Sequence, residues 1–147
     1  MSRGVAVLSA LLLAACGSVP ARRTIECDRA PKPIGPYSQA IQLGDVLYLS
    51  GQIGIDTATG SLVAGGVREE TRRALASLEA VLREAGFDAA DVVSTTVYLA
   101  DLGEFAAMNE VYAESFRSSP PARATVGVAA LPKGARVEIS AVAVRGR

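Results

Sequence analysis

Arg123 and Glu138 are the side chains whose sequence surroundings most suggest chemistry. Arg123 is the lone charge in Pro120-Pro121-Ala122-Arg123-Ala124-Thr125-Val126-Gly127-Val128, a run of small and β-branched residues behind two prolines. Proline lacks a backbone N–H and fixes φ, so this pair stops a helix and starts an extended segment. An arginine inside an apolar strand is costly to bury unless an anion meets it. That anion is either a carboxylate of the protein or the carboxylate of a ligand. Glu138, in Val137-Glu138-Ile139, is the protein carboxylate nearest to hand.

Composition narrows the remaining chemistry. The chain has 147 residues, half of them hydrophobic, which suits one domain with a real core. It has no histidine, which excludes Ser-His-Asp and Cys-His arrangements, most zinc sites and the usual general base near neutral pH. Carboxylates, Arg, Tyr, Thr, Cys27 and backbone groups are what remain. With 15 basic against 15 acidic side chains there is no electrostatic reason to expect nucleic acid.

The N-terminus reads as an address. Ser2-Arg3 is a short positive region, and Val5 to Ala15 is an apolar run. That run is too short to span a bilayer as a helix, for which ~20 residues are needed. It ends in Leu13-Ala14-Ala15-Cys16, which resembles a bacterial lipobox. The expectation is a signal peptide over 1–15, a lipidated Cys16, a linker over 16–29 and a domain over 30–147. The protein would then be anchored at the cell envelope, facing the periplasm; the alternative is an ordinary secretory signal, or an unused upstream start that leaves the protein cytoplasmic. Cys27 would be left as a lone thiol rather than a catalytic one.

The elements that must position Arg123 and Glu138 follow from periodicity. Pro31, Pro33 and Pro36 hold the segment before Tyr37 extended, so that Tyr37 can project into a site. Ala40–Leu43 and Val46–Gln52 flank Gly44-Asp45, a turn pair suited to a tight hairpin. Gly51 inside the second strand marks a bulge or a close approach. Val67 to Ala85 is a helix with one apolar face and Glu69/Arg73 and Glu79/Arg83 on the other, ended by Gly86. Val92 to Leu99 is a strand. Asp101 and Glu104 open a second helix as a capping box, with Phe105, Met108, Asn109, Tyr112 and Phe116 on its inner stripe. Asn109 is the polar exception there, either satisfied by backbone or aimed into a site.

The last two strands are expected to form a hairpin through a turn at Leu131 to Gly134, with Ala135 to Val144 as its second arm. In that pairing Thr125 lies opposite Ser140 and Gly127 opposite Glu138. Arg123, Thr125, Glu138 and Ser140 then share the open face of an α+β sheet. Val137, Ile139, Ala141 and Ala143 face two helices packed on the other side. An open, partly apolar sheet face points to a homo-oligomer.

Ile34-Gly35-Pro36-Tyr37-Ser38-Gln39-Ala40, Ser50-Gly51-Gln52-Ile53, Met108-Asn109-Glu110-Val111-Tyr112, Pro121-Ala122-Arg123-Ala124-Thr125-Val126 and Val137-Glu138-Ile139 together resemble the RidA (YjgF) family of reactive-intermediate deaminases. The resemblance runs from about Ala30 to Val144. It implies a chorismate-mutase-like α+β fold, a mixed sheet with two helices on one face. Three copies would form a trimeric barrel with sites in the clefts between subunits. It implies hydrolysis of 2-enamino and 2-imino acids, such as 2-aminoacrylate, to 2-oxo acids and ammonium, with no cofactor and no metal. Arg123 would grip the substrate carboxylate and Glu138 would position water and shuttle a proton. Backbone groups around Thr125 and Gly51 would hold the imine nitrogen, Tyr37 would line the pocket, and Asn109 would keep its shape. Many relatives carry Cys at the position of Thr125, so a thiol has no part here. A second reading makes the same pocket a non-catalytic binder of small carboxylates, or of a partner, at the envelope.

Overall fold

The computed structural model describes residues 20–146. The expected signal segment 1–15 and Cys16 lie outside the described residues. Eight elements build an α+β sandwich of a six-stranded sheet under two helices. They are β1 (Arg22–Ile25), β2 (Ala40–Leu43), β3 (Val46–Ile53), α1 (Gly66–Glu84), β4 (Val92–Leu99), α2 (Phe105–Ser115), β5 (Ala122–Gly127) and β6 (Val137–Val144).

The first half follows its sequence signals. β2 and β3 form a hairpin in which Leu43 faces Val46, and Gly44 turns the chain at φ 59°. The register of β3 against β6 shifts between Leu49 and Gln52, so Gly51 does sit in a bulge. α1 stops one residue short of Ala85, and Gly86 follows at φ 78°, a left-handed residue past the helix end. Arg83 pairs with Glu79 as expected, whereas Glu69 pairs with Arg72 rather than Arg73. Arg73 instead donates to Ile55 O at 2.8 Å and Thr57 Oγ1 at 2.9 Å, tying the loop after β3 to the helix.

Two expectations about the N-terminal stretch and the second helix change. Arg22–Ile25, expected within a linker, is the outer strand of the sheet and pairs with β2. Cys27 and Ala30 are buried beneath it, so the domain begins before residue 30. Cys27 is a free, wholly buried thiol that donates to Ala80 O at 3.5 Å. At the start of α2, Asp101 caps a 3-10 turn by accepting from Gly103 N–H at 2.8 Å. Glu104 leaves the capping box and pairs with Arg136 at 2.7 Å. The inner face of α2 is Met108, Val111 and Tyr112, while Phe105 stays 40 % exposed at the helix start.

The largest correction is topological. β5 does not pair with β6. The sheet order is β1-β2-β3-β6-β4-β5, with β6 inserted between β3 and β4. β4, α2 and β5 form a crossover unit, so β5 lies parallel to β4 at the sheet edge. A helix between two strands returns the chain to the same end, and that favours the parallel partner over the hairpin suggested by adjacency. Residues 128–136 then cross over β4 through a 3-10 turn at Pro132–Gly134 and enter β6. Arg136 N–H donates to the buried carboxylate of Glu70 at 2.8 Å, which pins that entry to α1.

Parity changes with topology. Val97 faces both Thr125 and Ile139, and Thr95 faces Arg123 and Ala141. Directly opposed residues point to the same side. Arg123 and Thr125 therefore share the helix side with buried Ile139, while Glu138 and Ser140 lie on the open face with Tyr98 and Thr96. The core fills the helix side as expected, with Leu47, Val97, Leu99, Val137, Ile139 and Ala143 buried against Ala74, Leu78, Val81 and Leu82 of α1.

Candidate functional site

The residues singled out in the sequence fall into two groups. Tyr37, Gly51 and Glu138 line one cleft of about 320 Å³, together with Ser50, Gln52 and Ile53. Asn109 and Arg123 line another of about 360 Å³, with Tyr112, Phe116 and Pro121. Within one copy of the chain the sheet separates them.

The acidic cleft is built around the β3 bulge. Glu138 lies across from Ile53, and its carboxylate reaches over Gly51. A Cβ on Gly51 would stand 1.9 Å from Glu138 Oε1, so only glycine leaves room for that carboxylate. Partial burial pushes the Glu138 carboxyl above its ordinary value, since desolvation disfavours the charged form. Among the described residues no cation pairs with it. Such a carboxylate is a proton acceptor poised nearer to neutrality than an exposed glutamate.

Tyr37 reaches this cleft from a loop that is fastened twice. Gln39 is 2 % exposed, and its Oε1 accepts Cys27 N–H at 2.7 Å. Its Nε2 donates to Cys27 O at 3.0 Å and Pro31 O at 2.9 Å. Ser50 Oγ donates to Ser38 O at 2.6 Å, coupling the bulge to the loop. Tyr37 remains 49 % exposed, with its hydroxyl accepting Ile34 N–H at 3.4 Å. Spacing did not reveal Gln39 as a clamp; its signal was a polar amide immediately before an inward-facing strand position.

The cationic cleft lies where α2 overhangs β5. Arg123 is exposed on the edge strand, so no burial cost demands an anion. Its guanidinium carbon sits 4.6 Å from the centroid of the Tyr112 ring and 5.7 Å from that of Phe105. Such contacts contribute about 0.5–1 kcal/mol at exposed sites. No side chain among the described residues pairs with the guanidinium, and the reading in which Glu138 is its structural partner fails for a single copy because the two lie on opposite faces. Tyr112 is buried, and its hydroxyl is 2.7 Å from Thr95 Oγ1. Burial pushes the Tyr112 phenol up, opposed by its bond to Thr95 and by the Arg123 charge. Asn109 is half-buried at the cleft wall. Thr125 Oγ1 is buried with no hydrogen-bond partner. A buried hydroxyl without a partner costs about 1–3 kcal/mol.

The described residues contain no group of His, Cys, Asp and Glu able to hold a metal ion. No helix among them is long and apolar enough to cross a membrane.

Comparison with known proteins agrees with this fold. Residues 16–145 match the family described as Endoribonuclease L-PSP. The human 2-iminobutanoate/2-iminopropanoate deaminase is 52 % identical over 125 residues, covering 85 % of this chain and 91 % of the relative. Escherichia coli TdcF, solved with bound serine, superposes with a TM-score of 0.81 at 40 % identity, over 84 % of this chain and 99 % of that one. RidA from an Antarctic Psychrobacter gives a TM-score of 0.81 at 41 % identity, again over 84 % and 99 %.

Proposed function

Because this chain belongs to the Endoribonuclease L-PSP family, the family of the RidA deaminases, we propose that it hydrolyses reactive 2-imino and 2-enamino acids to 2-oxo acids and ammonium. The family description names an endoribonuclease, but the curated relatives that share half their residues with this chain are named for imine deamination. The relative solved with bound serine carries an amino acid, a ligand with the carboxylate this reading requires.

The observation that carries the proposal is the division of the site. One edge of the sheet offers an unpaired guanidinium stacked on rings. The open face offers an unpaired carboxylate folded over Gly51. A 2-imino acid needs both, a clamp for its carboxylate and a base for water. Two copies must therefore meet, with β5 of one approaching the bulge of the next. The exposed edge of β5 and the exposed Tyr48, Val126 and Val144 on the open face support this closure, and a homotrimer is the assembly we propose.

In the closed cleft Arg123 holds the substrate carboxylate through two parallel hydrogen bonds. Glu138 of the neighbouring copy accepts a proton from water as its oxygen attacks the C=N carbon. The resulting carbinolamine receives that proton on nitrogen; as the C–N bond breaks and the C=O bond forms, Glu138 takes the hydroxyl proton and passes it to the departing ammonia, which leaves as ammonium. For the protonated imine the balance is imine plus water giving 2-oxo acid plus ammonium. An enamine such as 2-aminoacrylate first takes a proton on its terminal carbon to become the imine. Backbone groups around Thr125 and Gly51 hold the imine nitrogen in this reading, as the family resemblance implies. The substrate is already electrophilic, so one clamp and one base suffice.

The test is release of 2-oxobutanoate from 2-iminobutanoate generated in situ by an amino acid oxidase, with semicarbazide competing for the imine. The protein is expected to suppress semicarbazone formation, and Arg123→Ala to abolish that effect. No suppression by the wild type would refute the proposal.

We also propose that Cys16 is lipidated and holds the domain at the bacterial envelope. The lipobox-like Leu13-Ala14-Ala15-Cys16 supports this. Fractionation with a lipid label, comparing wild type and Cys16→Ser, decides it. Label retained by Cys16→Ser, or a wild type confined to the cytosol, contradicts it.

A further inference from the structure

Three contacts close a triangle around the cationic cleft. Thr95 and Arg123 face each other across the β4–β5 pair. Thr95 Oγ1 bonds the Tyr112 hydroxyl at 2.7 Å. The Tyr112 ring lies under the Arg123 guanidinium at 4.6 Å. The aromatic ring is thus fixed at its far end by the residue that neighbours the arginine on the sheet. Tyr112 and Thr95 are 5 % and 2 % exposed, so neither corner of this support is free to move.

Arg123 itself is exposed, and among the described residues nothing bonds its N–H groups. A guanidinium stacked on a ring uses its face and leaves its edge donors for a ligand. We infer that Tyr112, locked by Thr95, is a positioning residue: it holds the Arg123 guanidinium in the plane and place from which it binds the substrate carboxylate. This rests on the reading of Arg123 as the carboxylate clamp. Phe105, over the same guanidinium, supplies a looser second wall. A long arginine on an edge strand otherwise samples many rotamers, and ordering it beforehand removes that cost from binding.

The experiment is a double-mutant cycle on KM and kcat, with NMR of the arginine side chain. Tyr112→Leu is expected to raise KM about tenfold, a clamp loss of the size of one weakened charge-assisted contact, and to leave kcat within about threefold. In an Arg123→Lys background, which stays active and has already lost the ring stacking, Tyr112→Leu should add no further KM effect. Tyr112→Phe and Thr95→Val keep the shapes and remove the lock. Each should raise KM about threefold, and the double variant no more than either. The Arg123 Nε–H resonance, shifted upfield by the ring in the wild type, should move toward its free position in Tyr112→Leu.

A KM within twofold of wild type in Tyr112→Leu, or an equal rise in the wild-type and Arg123→Lys backgrounds, overturns the inference. If Tyr112→Leu does not fold, the near-isosteric pair carries the decision, and unchanged KM in both overturns it. Undiminished activity in Arg123→Ala alone refutes the clamp reading and with it the purpose of the platform. The NMR shift reports separately whether the ring holds the arginine.

Discussion

Gly51 and Glu138 occupy the same space: a Cβ on the glycine would stand 1.9 Å from Oε1 of the glutamate. The β3 bulge exists where this carboxylate must lie flat against backbone. Gly51→Ala therefore pushes Glu138 out of its cleft without removing it. The expected result is a loss of kcat of about tenfold or more, of the order seen when a proton-transfer group is misplaced. KM should stay near wild type, because Arg123 is untouched. Steady-state kinetics on in situ 2-iminobutanoate checks this, and unchanged kcat would show that Glu138 need not rest on Gly51.

Arg123→Lys tests the clamp. Lysine keeps the charge and loses the paired donors and the ring stacking. KM is expected to rise at least about tenfold, while thermal stability stays within about 0.5 kcal/mol because the side chain is exposed. A KM equal to wild type would mean that charge alone suffices.

Glu138 gives a pH dependence with a definite sign. Its carboxyl is raised above the ordinary 4.5 by desolvation, so folding favours the protonated form. Stability from this group is full at low pH and falls as pH rises from the ordinary value through the raised one. Activity runs the other way, since the base must be ionised. The acid limb of the kcat/KM profile should lie above pH 4.5, and Glu138→Gln should remove that limb with the activity while melting no lower than wild type at neutral pH. An acid limb below 4.5 would contradict the assignment.

Gln39 predicts a structural effect at a distance. Gln39→Leu leaves the buried N–H and C=O of Cys27 and the C=O of Pro31 without their side-chain partner. The expected loss is about 2–4 kcal/mol by denaturant titration, from several orphaned groups of about 1 kcal/mol or more each. A loss below 0.5 kcal/mol would show that the loop holds without its clamp.

Much of this was legible in the sequence, and the reasons differ by element. The apolar face of α1, the Gly44-Asp45 hairpin and the bulge at Gly51 are local signals, and each formed where expected. The pairing of β5 was not legible, because adjacency and a turn at 131–134 suggested a hairpin while α2 had already committed β5 to a parallel partner. That single non-local choice moved Arg123 and Thr125 to the other side of the sheet from Glu138. The strand at Arg22–Ile25 was hidden by its two arginines, which sit outward on an edge strand. Tyr112 was readable only as an inward aromatic, since its bond to Thr95 joins residues 17 apart in sequence. The candidate site residues were singled out by type and motif, and the division between two clefts came only from the register.

The central claim is that one active site takes Arg123 from one copy and Glu138 from another. Mixing Arg123→Ala with Glu138→Ala, each inactive alone, tests it most directly. After unfolding and co-refolding in equal amounts, a ring in which each site joins two neighbours should regain about a quarter of wild-type deaminase activity, since one junction in four on average brings the two intact residues together. No activity in the mixture, with both variants folded and assembled, would contradict a site shared between copies.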